Sequence, residues 1–262
     1  MGRTLIGLIF VSVVFAGLGA LGWYFVKDEV RIKPEYRLAA DKISVSPAPP
    51  WVPKQFVEDV LQNSRLNQTS SLLDKALPQK LTEAFAAYPW VENVEQVVPR
   101  HPSGAEVKLS YRTPVAFVEG TQHGTFLVDR NGVLLPPQHL LSAMPDQRGR
   151  YLTIQGIQSM PPGSVGTPWG DPMVQTAAQL AEAMMDITEK LDLTHIIPEK
   201  NQSGPGIIWR LRTAAGTEIR WGTFAPNDPK TDTKKRRLWD LSEQFRSLDN
   251  TPVQSQPIDL RE

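Results

Sequence analysis

Val107-Lys-Leu-Ser-Tyr111, followed by Ala116-Phe-Val118, Phe126-Leu-Val128 and Asn131-Gly-Val-Leu-Leu135, is the stretch whose reading decides the fold. Val107, Leu109 and Tyr111 alternate with Lys108, Ser110 and Arg112, the period of a strand with one buried face. Shorter strands are predicted at Ala116 to Val118 and Phe126 to Val128. Asn131 and Gly132 tolerate the positive φ angles of a tight hairpin, so Leu127-Val128 and Val133 to Leu135 are expected to fold back on one another.

Toward the N-terminus the period changes from two to that of a helix. Phe56, Val57, Val60 and Leu61 predict a short amphipathic helix over Pro53 to Asn63. Leu77, Leu81, Ala84, Phe85 and Tyr88 predict a second, stopped by Pro89, with Pro78 tolerated in its first turn. Before them, Ile43-Ser-Val45 runs into Pro47, Pro49, Pro50 and Pro53 around Trp51, which hold an extended path and forbid a helix; a stiff spacer or an edge strand fits. Two helices followed by a run of strands reads as an α+β fold.

Toward the C-terminus, Pro136 to Gly149 breaks the pattern and Tyr151 to Gln155 resumes it as a strand. Val174, Ala177, Ala178, Ala181, Met184, Met185, Thr188 and Leu191 mark a long helix whose methionine pair is expected to fill core. Ile207, Trp209 and Leu211 alternate with Ile208, Arg210 and Arg212, Ala215-Gly216 turns the chain, and Ile219 with Trp221 returns it: a hairpin with a buried aromatic face. Leu238, Leu241, Phe245 and Leu248 line one side of a last helix. Its basic start, Lys234 to Arg237, is expected to be a solvated helix end. A short strand, Ile258 to Arg261, closes the chain.

From Thr4 to Val26 no residue is charged, and as a helix this stretch reaches about 35 Å against a hydrocarbon core of about 30 Å. A single membrane-spanning helix is expected, with Leu5, Ile6 and Phe10 in the lipid and Trp23 and Tyr24 at the boundary. A cleavable signal peptide is the rival, opposed by the apolar run that continues past the small residues. Arg3 and the amino terminus stand against Lys27, Arg31 and Lys33, so charge alone leaves the topology open. A short N-terminus before a long C-terminal region favours export of that region.

Lys plus Arg and Asp plus Glu both number 28, and cysteine is absent. No net field draws the chain toward nucleic acid, and disulfides, thiolate metal sites and cysteine nucleophiles are excluded. The four histidines, His101, His123, His139 and His195, are scattered without metal-ligand spacing, and each is expected on a surface or in a loop. No serine elbow, S-x-x-K pair or phosphate-cradling loop occurs, and no pair of carboxylates is singled out by spacing. The expectation is a binding protein, not an enzyme, with no cofactor, no metal and no small-molecule substrate.

Tyr88-Pro-Trp-Val-Glu-Asn-Val-Glu95, Arg100-His-Pro102, Tyr111-Arg-Thr-Pro-Val-Ala116 and Leu127-Val-Asp-Arg-Asn-Gly132 then line up in a familiar order, followed by Leu152-Thr-Ile-Gln-Gly156, Thr217-Glu-Ile-Arg-Trp-Gly222, the basic helix from Lys234 and Ile258-Asp-Leu-Arg261. The sequence resembles the bacterial cell-division family FtsQ/DivIB over most of its length. Pro89, Trp90, Val91, Arg112, Pro114, Ala116, Asp129 and Gly132 stand at that family's motif positions. The resemblance implies a short cytoplasmic segment (1–3), a transmembrane helix (4–26), a stalk (27–41), a POTRA-like domain (42–110) and an FtsQ-type β domain (111–262). It further implies a single-pass inner-membrane protein with its C-terminal part in the periplasm, gathered at the division site. Its partners would be bitopic coiled-coil proteins similar to FtsB or DivIC and FtsL, and through them the septal peptidoglycan synthase.

Two features depart from the family. Proline-rich Ser46 to Pro53 stands where a glycine usually follows the first strand. Family members also commonly continue past the Asp-Leu-Arg strand, and this sequence ends at Glu262. The partner-pairing edge is therefore expected at Ile258, Asp259, Leu260 and Arg261, or at Thr217, Ile219 and Trp221. An envelope assembly or export module, and an exported hydrolase, are the alternative readings.

Overall fold

The computed structural model describes residues 15–19, 21–22, 38–66, 71–101, 103–120, 124–201, 206–247 and 258–260, with the side chains of 146, 147 and 244–247 excepted. The fold is mixed α+β, in two units: one takes residues up to 48, 54–87 and 93–110, and the other takes 49–53, 88–92 and 111–262. The expected membrane anchor lies largely outside the described residues, Leu5, Ile6, Phe10, Trp23 and Tyr24 included. Residues 15–19 and 21–22 are helical. Among the described residues no helix is long and apolar enough to cross a membrane.

Among the described residues, the buried part of the first unit is formed by a three-stranded sheet and two α-helices. Strand β1 (Ile43–Val45) lies parallel to β3 (Gly104–Tyr111), with β2 (Val91–Arg100) on the far side of β3. The alternation read from Val107 and Leu109 is realised as burial of Ala105, Val107 and Leu109. Helices α1 (Phe56–Asn63) and α2 (Leu77–Ala86) bury Phe56, Val60, Leu61, Leu77, Leu81 and Phe85, and the Phe56 and Phe85 rings meet edge to face at 6.2 Å. The first helix starts later than the sequence suggested, because Pro49–Pro53 belongs with the second unit, where Val52 is buried and the Trp51 indole N–H donates to Arg112 O at 3.1 Å.

The second unit is built on an eight-stranded sheet in the order β11-β10-β9-β8-β7-β4-β5-β6. Its strands are β4 (Pro114–Glu119), β5 (Thr125–Asp129), β6 (Leu134–Leu135), β7 (Leu152–Ile154), β8 (Leu193–Lys200), β9 (Ile207–Thr213), β10 (Glu218–Gly222) and β11 (Ile258–Asp259). Helix α3 (Pro137–Ala143) occupies the stretch expected to be irregular. Helix α4 (Pro172–Thr188) is capped by Asp171, whose carboxylate accepts the Met173 N–H at 2.8 Å, and α5 spans Lys230–Ser247. Val174, Ala177, Ala178, Ala181 and Met184 of α4 join Val118, Ile154, Ile196, Trp209, Leu211 and Trp221 in one core. The expected core pair is split: Met184 is buried, whereas Met185 is 38% exposed.

Candidate interaction site

Alternating apolar residues in β9 and β10 fix the sheet's C-terminal end. Leu211 opposes Ile219, Arg210 opposes Arg220, and Trp209 opposes Gly222 across a bulge. The four large side chains Trp209, Leu211, Ile219 and Trp221 are all buried, which holds the opposite, polar side of the hairpin outward. On that outer side Arg210 lies 3.3 Å from Glu199 and 3.1 Å from Glu218, and Arg212 lies 3.4 Å from Glu218. His195 sits in the same row, opposite Arg212. Burial, helped by the Arg212 charge, holds its imidazole below the usual histidine range.

The last strand is laid beside this hairpin. β11 runs parallel to β10, with Ile258 opposite Ile219 and Asp259 opposite Arg220, and the Leu260 N–H donates to Arg220 O at 2.9 Å. Leu260 is buried, Ile258 is half-buried and Asp259 is exposed. The residues named from sequence as a partner surface are therefore brought together, but in unequal roles. β10 is flanked on both sides, by β9 and β11, so it is not an edge. Ile219, Trp221 and Leu260 face the core, and Thr217 is held in the β9–β10 turn, its N–H donating to Thr213 Oγ1 at 3.1 Å. β11 ends the sheet, and Arg261 lies outside the described residues.

The motif residues converge on a separate, structural joint. Trp90 is fully buried, donates its indole N–H to His139 Nδ1 at 2.9 Å, and accepts the Arg112 N–H at its carbonyl at 2.8 Å. Arg112 Nη1 donates to Asp129 Oδ2 at 2.7 Å, while Asp129 Oδ1 accepts the N–H groups of Asn131 and Val133, both at 2.9 Å. Gly132 has φ +71°, as the turn requires, and its carbonyl accepts the Trp169 N–H at 2.8 Å. Val91, Pro114 and Ala116 are buried, and Pro89 packs against Gly166. These motif residues are buried except Pro89 and Arg112, which are half-buried.

Sequence reasoning misplaced half of the basic run, and of the histidines expected on a surface or in a loop, two lie half-buried in regular elements. His139 is on α3 and His195 is within β8, so neither is a loop residue; His101 is exposed, and His123 lies outside the described residues. Lys234 Nζ donates to Trp221 O at 2.7 Å and lies 5.5 Å from the centre of that ring, and burial lowers its pKa. Lys235 pairs with Asp186 at 2.7 Å, leaving Arg236 and Arg237 as the exposed part of the run. An ion pair unread in the sequence joins Arg130 to Glu92 at 3.1 Å and to Glu182 at 3.8 Å. Nothing in the spacing of those residues signals it. Among the described residues no group of three or more His, Asp or Glu side chains is placed to hold a metal. No protein-family model matches the chain, and no curated protein matches it.

Proposed function

We propose that this chain is a non-enzymatic, membrane-anchored scaffold of the bacterial division machinery. Its apolar N-terminal stretch fixes it in the inner membrane, its folded region stands in the periplasm, and it links small bitopic coiled-coil partners at the septum. Through them it helps control septal peptidoglycan synthesis. The reading rests on the order of the motifs in the sequence and on a two-unit α+β organisation whose second unit begins its continuous run at Tyr111, where the resemblance begins its β domain.

The observation that carries the docking part is the place of β11. It is two residues long, it ends the sheet among the described residues, and it is fixed by a buried Leu260 beside the interior strand β10. A partner's extended segment adds to such a strand through backbone hydrogen bonds, with alternate side chains giving selectivity. A photocrosslinking amino acid at Asp259, in dividing cells, tests this: capture of a small single-span membrane protein is the expected result. Absence of any bitopic adduct, with the full-length protein present at its normal level, overturns it.

A further inference from the structure

A groove of about 630 Å³ opens on the second unit, between the outer side of α4, the turn joining β5 to β6, and the loop leading into α5. Its apolar lining is Ala183 and Phe224, both half-buried against the core, with Pro226 and Pro229 beside them. Around them stand one arginine, Arg130, and three carboxylates, Glu182, Asp228 and Asp232. The arginine's charge is already met by Glu92 and Glu182, which raise its pKa further. Asp228 uses one oxygen to accept the Lys230 N–H at 3.0 Å, and Asp232 makes no hydrogen bond or ion pair among the described residues.

That balance decides the ligand's sign. An anion would enter against the Asp228 and Asp232 carboxylates, and the one cationic side chain among the lining residues, Arg130, is already ion-paired. A purely apolar guest would strip water from Asp228 and Asp232 without replacing their hydrogen bonds. A bare metal ion lacks a set of three ligands among the described residues. A cation carried on an aliphatic stem satisfies every wall at once, because its stem covers apolar surface and its head reaches carboxylate or ring face. The volume exceeds what one side chain fills and lies within the range of about 300–1,000 Å³ typical of ligand sites, so several residues of an extended chain fit.

We infer that this groove docks a basic, extended peptide segment of a partner protein, with an arginine or lysine stem over Phe224 and its charged head met by Asp228 and Asp232. The inference stands apart from the strand-pairing reading, since no residue of β10 or β11 lines the groove.

The full chain in detergent micelles is titrated into a fluorescein-labelled octapeptide alternating arginine and serine, and anisotropy is read at physiological salt. Saturable one-site binding is expected, weakened by higher salt and absent for the same peptide with glutamate in place of arginine. Asp228→Asn and Asp232→Asn should each weaken binding about tenfold, the scale of one charge-assisted hydrogen bond. Asn keeps the Asp228 cap, and Asp240→Asn, an exposed acid of α5 outside the groove, should leave binding unchanged. An equal loss with Asp240→Asn shows mere charge attraction and overturns the inference. So does absence of saturable binding to the folded wild-type chain, or self-association of the chain that the groove variants abolish.

Discussion

Asp129 is 2% exposed, yet it accepts from Arg112 Nη1 and from the N–H groups of Asn131 and Val133. Its oxygens thus close the β5–β6 turn and hold Arg112, the second residue of the second unit's continuous run. Asp129→Ala leaves the Arg112 guanidinium without its carboxylate and frees two turn amides, and should destabilise the second unit by about 3–5 kcal/mol. Asp129→Asn retains acceptor oxygen for the turn and should cost less; chemical denaturation of both variants checks the order. His195 gives a pH-dependent counterpart. Its folded pKa lies below the ordinary 6.5, so the unfolded chain binds the extra proton first. The stability linked to this group is complete above pH 6.5 and is lost as pH falls through the lower, folded value. Its imidazole resonance should titrate below 6.5, and His195→Gln should flatten the acid side of the stability profile; titration at or above 6.5 contradicts the account.

At the scale of elements, the readable parts were those where one face is buried and the other is not. Trp209, Leu211, Ile219 and Trp221 gave the β9–β10 hairpin its alternation, and Asn131-Gly132 gave the β5–β6 turn, because both signals are local. β8 was missed although it lies inside the sheet, between β7 and β9. Pro198 argues against an interior strand. It is tolerated because β7 ends at Ile154, opposite Ile196, leaving β8 paired at Pro198 on the β9 side alone. Of the joint, Trp90, Arg112 and Asp129 were legible only as motif residues in order and His139 not at all, since hydrogen bonds between distant residues leave no period. Trp90→Phe removes the bond to His139 and should cost about 1 kcal/mol. In the first unit, a Cβ at Gly104 would collide with the Lys42 carbonyl oxygen. Gly104→Ala should therefore cost about 1–3 kcal/mol in that unit, read as a lower denaturation midpoint.

In the whole molecule an apolar leader precedes a folded region whose motif residues are largely buried and whose candidate contacts are a strand end and an acidic groove. A membrane anchor is expected from the uncharged length of the leader alone, while the proposed partner leaves no such signal, because backbone pairing carries little side-chain information. Replacing residues 1–26 with a cleavable secretion signal should release the folded region from membranes into the soluble periplasmic fraction and abolish its place at the septum, as fractionation and imaging would show. Imaging of the full-length chain, fused to a fluorescent protein that matures outside the cytoplasm and expressed at its native level, bears most directly on the scaffold claim. The account predicts a band at the division site that appears before constriction is complete. A signal spread evenly around the envelope throughout division would contradict it.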